Sequence, residues 1–255
     1  MANLSWDHTV HYVRNLDSAV EIFNKKGFHA FRGGSHTTWG TYNALSYFGL
    51  CYLEFLAIEN SELVEKNKNV NAVVYDAARL LPEKEAIARL AIRTDDIEET
   101  VRSLIEKGLE LSPIVAGSRI NTLGNKIEWK MASVKGDYEG VVYPFFIQWK
   151  ESDENRLLSL TNAGAIQPHR GGDVSLKEVI IHSLDPQKVA YHWCDVFGLE
   201  MEEGSGDFLR IRMQDQFFTF QKGSNDQSMT LIFHTDMDEL KGTTFFIGEG
   251  EYTFQ

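Results

Sequence analysis

The chain has 255 residues, of which 43% are hydrophobic and 24% charged, a composition typical of soluble globular proteins. Its formal net charge of -12 argues against binding to nucleic acid or to an anionic membrane surface, because both require a clustered basic face. No apolar run approaches the roughly 18 residues of a membrane span. The N-terminus lacks a secretion signal, and two cysteines are too few for a disulfide scaffold. We therefore expect a cytoplasmic protein with free thiols.

The first part of the chain predicts a β-α-β-β-β unit. Residues 4–13 alternate as a strand, and Asn15 can cap an amphipathic helix that ends at Gly27. Strand-like segments follow at 28–31, 42–48 and 51–58, with a glycine-rich loop at 33–40 between the first two. Residues 61–81 have apolar residues at helical spacing, which indicates one or two helices inserted after this unit.

Further units follow at a spacing of about 80 residues. When the sequence is aligned with itself at an offset of 81 residues, Leu16 aligns with Ile97, which begins the next predicted helix. We divide the chain into a two-module domain (1–150), a polar linker (151–174), and a third module with a truncated fourth (175–255).

Several short sequence motifs resemble those of one known family. They are Gly33-Gly34-Ser35-His36, Gly40-Thr41-Tyr42-Asn43, Tyr52-Leu53-Glu54-Phe55 and the closing residues Pro144 to Trp149. Together they resemble the glyoxalase-like domain subfamily of the vicinal-oxygen-chelate superfamily. The resemblance implies an α+β fold of tandem βαβββ modules, whose mixed sheets curl into a cup and are paired within one chain. The superfamily hosts isomerases, dioxygenases, thiol transferases and antibiotic-sequestering proteins, so the fold alone does not give the reaction.

The resemblance also implies that His8 and Glu54 face one cavity, because the first and last strands of a module lie side by side. Imidazole and carboxylate groups are standard ligands of divalent metals, so these residues, with His36 as a third ligand, would hold one Zn, Ni, Fe or Mn ion. The alternative is a hydrogen-bonded polar pair that holds no metal. Metal-dependent members carry further ligands in the second module, where Arg89 and Gln148 are expected here. Arginine cannot ligate a metal, and glutamine is a weak donor.

The remaining candidate residues are predicted to bind a small-molecule substrate: His36, Asn43, Arg89, Arg119, Trp129 and Gln148. Arg89 would bind a carboxylate or phosphate if it faces the cup, or would pair with Glu54 instead. Asn43 either orients a ligand oxygen or bonds its own backbone. His36 is expected on the far side of the sheet, where substrate contact is favoured over ligation. Trp129 either lines the cup or packs in the core.

Two functions are compatible with these residues. The first is a metal-dependent lyase, isomerase or dioxygenase acting on a substrate with vicinal oxygens, in which Glu54 moves a proton beside a polarised carbonyl. The second is a small-molecule binding or sequestering protein that needs no metal. The grouping of His8, His36 and Glu54 favours the enzyme, whereas the residues expected in the second module favour the binding protein. A homodimer is compatible with either function.

Overall fold

A computed structural model describes residues 2–81, 83–121, 124–170, 172–224 and 228–255. In these residues the chain forms six helices and seventeen strands. The helices are α1 (Leu16–Lys25), α2 (Ser61–Asn67), α3 (Ala72–Leu80), α4 (Ile97–Glu106), α5 (Asp153–Asn162) and α6 (Pro186–Phe197). None of them is both long enough and apolar enough to cross a lipid bilayer.

The strands are short and fall into three sheets. They are β1 (Leu4–Tyr12), β2 (Phe31–His36), β3 (Thr41–Phe48), β4 (Cys51–Ile58), β5 (Ala86–Thr94), β6 (Val115–Asn121), β7 (Lys126–Ser133), β8 (Asp137–Tyr138), β9 (Val141–Val142), β10 (Phe145–Trp149), β11 (Val174–Ser183), β12 (Glu200–Gly204), β13 (Phe208–Met213), β14 (Gln216–Lys222), β15 (Met229–Thr235), β16 (Thr244–Ile247) and β17 (Gly250–Phe254).

The first two modules form a closed barrel in the strand order β1-β4-β3-β2-β6-β7-β10-β5. Within the first module, β1 and β4 are parallel neighbours, as the resemblance implied. The modules join where β1 pairs antiparallel with β5. They meet again at a short contact between β2 and β6, where Gly34 pairs with Asn121. A Cβ atom on Gly34 would lie 2.0 Å from the carbonyl oxygen of Ile120, so only glycine allows this close approach.

The later modules repeat the same strand order in an open sheet, β12-β13-β14-β11-β15-β17-β16. β11 pairs parallel with β14 and antiparallel with β15, as β1 does with β4 and β5. The fourth module contributes β15, β16 and β17 but no helix in the described residues. Because this sheet is open, it has two edge strands, β12 and β16, whereas the closed barrel has none.

One hydrophobic core joins the barrel to the open sheet. Trp6 of β1 packs edge-on against Phe218 of β14, with 5.4 Å between ring centroids. His11 Nδ1 lies 2.5 Å from the Tyr252 hydroxyl of β17. Both apolar side chains, Trp6 and Phe218, are almost completely buried, so the outer face of the barrel and one face of the sheet exclude water together.

The helix boundaries in the first module agree with the sequence prediction. Asn15 caps α1 by accepting a hydrogen bond from the Ser18 backbone N–H, and α1 is followed by Gly27 with φ of 93°. Helices α2 and α3 occupy the segment predicted for inserted helices.

One local prediction was wrong. The segment 28–31 was expected to be a strand followed by a glycine-rich loop, but β2 instead begins at Phe31 and continues through the glycines to His36. A bulge between Arg32 and Gly34 makes this possible. The polar segment 151–174 was expected to be a linker, and most of its first half forms α5, which Ser152 caps. Thr122 and Leu123, between β6 and β7, lie outside the described residues.

Candidate active site

A cavity of about 50 Å³ lies inside the barrel, where β1, β3 and β4 of the first module face β6, β7 and β10 of the second. Helix α3 and the residues before it cover one side of it. The lining is His8, His36, Trp39, Thr41, Asn43, Tyr52, Glu54, Leu56, Asn71, Val73, Val74, Arg119, Trp129, Met131, Phe145, Ile147 and Trp149. One buried water molecule needs roughly 10–15 Å³ of cavity volume. This cavity therefore has room for only a few ligand atoms.

His8 lies between two carboxylates. Its Nδ1 is 2.6 Å from Asp7 Oδ1, and its Nε2 is 3.4 Å from Glu54 Oε2. Burial alone would lower the pKa of His8, but the hydrogen bonds and charges of both carboxylates outweigh it and raise the pKa above its usual value. The two carboxylates therefore favour the protonated form of His8 over the neutral one.

Glu54 is held ionised by its neighbours. Burial would raise its pKa, but the hydrogen bond and charge of His8, with smaller contributions from His36 and Asn43, lower it to about 2. Asn43 Nδ2 donates a 2.6 Å hydrogen bond to Glu54 Oε1. The Oδ1 atom of Asn43 is buried and has no hydrogen-bond partner in the described structure, so it remains able to accept a hydrogen bond from a ligand.

His36 also reaches this cavity, contrary to the expectation that it lies on the far side of the sheet. Its Nδ1 is 2.9 Å from Thr41 Oγ1, and its Nε2 is 3.5 Å from Asn43 Nδ2. Burial lowers the pKa of His36 to about 4, and the positive charges of Arg119 and His8 add to the effect. The cavity thus shifts the pKa values of its two histidines in opposite directions.

The opposite wall is formed by the second module. Arg119 is largely buried and donates a 2.5 Å hydrogen bond from NH1 to the Gly33 carbonyl. A Cβ atom on Gly33 would lie 2.2 Å from Asn43 Oδ1 and 3.0 Å from Arg119 NH1. Trp129 faces the cavity with its ring edge-on to His36, 5.9 Å away. Glycine at position 33 therefore allows Arg119 and Asn43 to approach each other.

Arg89 lies inside the barrel but does not line this cavity. Its Nε donates a 2.6 Å hydrogen bond to Asp76 Oδ2 on α3, and its NH1 donates to the Tyr143 carbonyl at 2.7 Å. Arg89 and Asp76 are 4% and 1% exposed, so this is a fully buried ion pair. The alternative partner considered from the sequence was Glu54, but the carboxylate comes from the inserted helix instead.

Gln148 lies outside the cavity and supports helix α4. Its Oε1 accepts a hydrogen bond from the Ile97 backbone N–H, and its Nε2 donates to the Asp95 carbonyl. The expected equivalence of Gln148 with Glu54 was wrong by three residues. Glu54 pairs with Val10 on β1, whereas Phe145 pairs with Ala91 on β5, and the shift of 81 residues lays Ala91 over Val10.

The donor set does not complete a resident metal site. Protein sites for catalytic zinc supply about three protein ligands. Within the described residues, no group of three or more His, Cys, Asp or Glu side chains is placed to share one ion. His8 and Glu54 offer two donors that bond each other, and the second-module positions carry Arg89 and Phe145, which cannot ligate.

Sequence reasoning missed the charged group behind His8. Asp7 is completely buried and accepts hydrogen bonds from Arg93 NH1 at 3.1 Å and from Trp149 Nε1 at 2.9 Å. Burial would raise the pKa of Asp7, but Arg156, His8 and Arg93 outweigh it and hold the pKa well below its usual range. Strict alternation places residues 7 and 8 on opposite faces. The pairing of β1 with β5 is irregular between Trp6 and His8, and this bulge allows Asp7 to reach the neighbouring ring.

Comparison with known proteins identifies the family. The family model for the glyoxalase-like domain matches residues 6–197, most of the chain. The chain belongs to the glyoxalase-like domain family. This family is part of the vicinal-oxygen-chelate superfamily that the sequence motifs resemble. A search of curated proteins gives no match.

Solved structures share the fold of this glyoxalase-like protein. A hypothetical protein from Staphylococcus aureus is 24% identical, with a TM-score of 0.85 and 99% of each chain covered. A mutant of 4-hydroxymandelate synthase from Streptomyces coelicolor is 14% identical, with a TM-score of 0.60, and the match covers 92% of this chain and 72% of that one. A methylmalonyl-CoA epimerase from the same organism is 15% identical over 59% of this chain and 100% of its own, but its TM-score of 0.45 is too low to carry an argument.

Proposed function

We propose that this glyoxalase-like protein is an enzyme of the lyase or isomerase type, which transfers a proton on a small substrate with neighbouring oxygen atoms. The observation that carries this proposal is the grouping of His8, Glu54 and His36 in one cavity. Their environments drive the pKa of His8 up and that of His36 down to about 4. Titratable groups whose pKa values are pushed apart in one site are the usual arrangement for acid–base chemistry.

Each group has a role that follows from its protonation state. His8, whose protonated form both neighbouring carboxylates favour, donates a hydrogen bond to a substrate carbonyl oxygen and favours the negative charge that develops there. Glu54 takes the proton from the adjacent carbon. A substrate oxygen that enters between His8 and Glu54 separates the pair, which removes the hydrogen bond that lowers the pKa of Glu54 and makes it a stronger base. His36 and Asn43 bind the second oxygen.

The test is solvent exchange at carbon. The purified protein is incubated in D₂O with a panel of small α-hydroxycarbonyl and 1,2-dicarbonyl compounds, and deuterium incorporation is followed by NMR. We expect exchange with the wild type and a loss of at least about a hundredfold in Glu54→Gln, because general-base catalysis contributes roughly 10²–10⁴-fold. Glu59→Gln is the matched control, because Glu59 is exposed and directly follows β4, the strand that carries Glu54. Equal exchange by Glu54→Gln and the wild type would contradict the proposal, and ligand binding without exchange would favour a sequestering protein.

A bound divalent ion is the second candidate, because Asp7 is placed behind His8 as carboxylates are behind metal-ligating histidines. Such an ion would take His8 and Glu54 from the protein and its remaining ligands from the substrate. Zn, Ni, Fe and Mn would each be tested by calorimetric titration of EDTA-treated, untagged protein, with and without the exchanging compound. Binding in the wild type that Glu54→Gln removes would support this candidate.

The cytoplasmic location and the homodimer are also proposals that follow from the sequence.

A further inference from the structure

A second cavity, of about 800 Å³, adjoins the first between helix α5 and one end of the barrel. We call it the outer groove, and its walls include Arg32, Arg119, Lys126, Trp149, Arg156 and Ser159. Arg119 and Trp149 line both this groove and the inner cavity. The two spaces therefore share a wall at which one molecule can contact both.

The outer groove is positively charged although the protein is strongly negative. It is lined by five basic side chains, Arg32, Arg119, Lys126, Lys150 and Arg156, and by two acidic ones, Glu128 and Glu151. The difference is +3, compared with -12 for the whole chain. A concave surface lined by one sign of charge concentrates ligands of the opposite sign.

Arg32 is paired with Asp17 at 2.8 Å, but the pairing of the other cations leaves positive charge available. Lys126 and Lys150 both contact the single carboxylate of Glu128, each at 2.8 Å. Arg119 has no carboxylate within salt-bridge distance in the described part of the chain, and its one hydrogen bond is to the Gly33 carbonyl. A guanidinium group has five N–H donors, so Arg119 has donors left for a planar or tetrahedral anion.

Arg156 supplies a second, independent observation. Only 4% of this residue is exposed, yet neither NH1 nor NH2 has a hydrogen-bond partner in the described structure. NH1 lies 3.6 Å from Asp7 Oδ2, and the guanidinium lies over the Trp149 ring at 4.2 Å. Buried guanidinium N–H groups without acceptors are costly, and an anion in the groove would supply acceptors for NH1 and NH2.

We propose that the outer groove binds an anionic group, a carboxylate or a phosphate, and that Arg119 contacts it. Anion binding in the outer groove does not depend on the proposed function. Only the idea that the same molecule places its reacting end in the inner cavity rests on that function. The size of the two spaces fits this division, since the inner cavity admits a few atoms and the outer groove admits a much larger group. The substrate class is then a small oxygenated head joined to an anionic tail.

The test measures anion binding without any reaction. Sodium acetate and sodium phosphate are titrated separately into the protein at constant ionic strength set with sodium chloride, and binding is followed by tryptophan fluorescence, because Trp129 and Trp149 lie close to Arg119. We expect saturable binding of at least one anion, and a weakening of about tenfold or more in Arg119→Gln, since one charge-assisted contact is lost. Arg119→Lys should recover part of this affinity because it keeps the positive charge.

Matched controls separate this proposal from a general charge effect and from the proposed function. Lys177→Gln removes a cation from the open sheet, and the anion affinity should not change. Glu54→Gln should retain anion binding even though proton exchange is lost. If Arg119→Gln is poorly folded by circular dichroism, the double variant Lys126→Gln/Lys150→Gln replaces it and should weaken binding by a few fold. Equal affinity in Arg119→Gln and the wild type, equal weakening in Lys177→Gln, or no saturable binding of either anion would overturn the proposal.

Discussion

The buried pair of Arg89 and Asp76 gives a prediction that separates a structural role from ligand binding. The bond from Arg89 Nε to Asp76 Oδ2 is 2.6 Å long, and both side chains are almost fully buried. Breaking a buried pair from one side leaves an unpaired charge and costs about 3–5 kcal/mol. For a chain of this size, each kcal/mol lowers Tm by about 2–4 °C, so Asp76→Leu should lower Tm by roughly 6–20 °C. The double variant Arg89→Met/Asp76→Leu should be much closer to the wild type.

The assay is urea unfolding of the wild type, Arg89→Met, Asp76→Leu and the double variant, read as a double-mutant cycle. Lys25→Met is the control, because its partner Glu21 is exposed and such pairs contribute about 1 kcal/mol or less. Additive losses, or single variants within about 1 kcal/mol of the wild type, would refute the argument that this pair is structural. Acetate and phosphate binding to the stable double variant should match the wild type, because Arg89 does not line either cavity.

The remaining predictions concern pH and close packing. His11 is buried beside Tyr252, and burial lowers its pKa to about 3. The unfolded state therefore binds one more proton than the folded state between about pH 6.5 and 3, so stability is fully present above pH 6.5 and falls as the pH drops. The pH slope of urea stability between pH 6 and 4 should be about 1.4 kcal/mol per unit smaller in His11→Phe, and an unchanged slope would contradict this account. Gly33→Ala would place a Cβ atom 2.2 Å from Asn43 Oδ1, so we expect a loss of roughly 1–3 kcal/mol in urea unfolding together with weakened proton exchange. Gly206→Ala, where a Cβ atom meets nothing within 4 Å, should change neither quantity.

Features encoded over a few neighbouring residues could be predicted from the sequence. Asn15 caps α1 and Gly27 follows it, because capping depends on local hydrogen bonds and on backbone conformation. The placement of His8 and Glu54 in one cavity followed from the family resemblance, which fixes the adjacency of β1 and β4.

Features that depend on strand irregularities or on distant contacts could not be predicted. His36 reaches the cavity because β2 contains a bulge beside Gly34, and a bulge shifts all later side chains relative to simple alternation. Phe145 occupies the second-module position equivalent to Glu54, because the register of β10 is set by its pairing with β5 and β7 and not by its apolar pattern. Asp76 neutralises Arg89 from an inserted helix, and no local pattern indicates that pairing.

The core shared by the barrel and the open sheet has a consequence for how the chain can be divided. Trp6 and Phe218 lie in different repeats but contact each other, and α5 places Arg156 beside Asp7 from a segment that the repeat pattern treats as a connector. A boundary near residue 150 separates copies of the module, yet a cut there would expose one side of a common apolar interior. The repeated unit in this protein is therefore smaller than the unit that shares one hydrophobic core, which includes both pairs of modules.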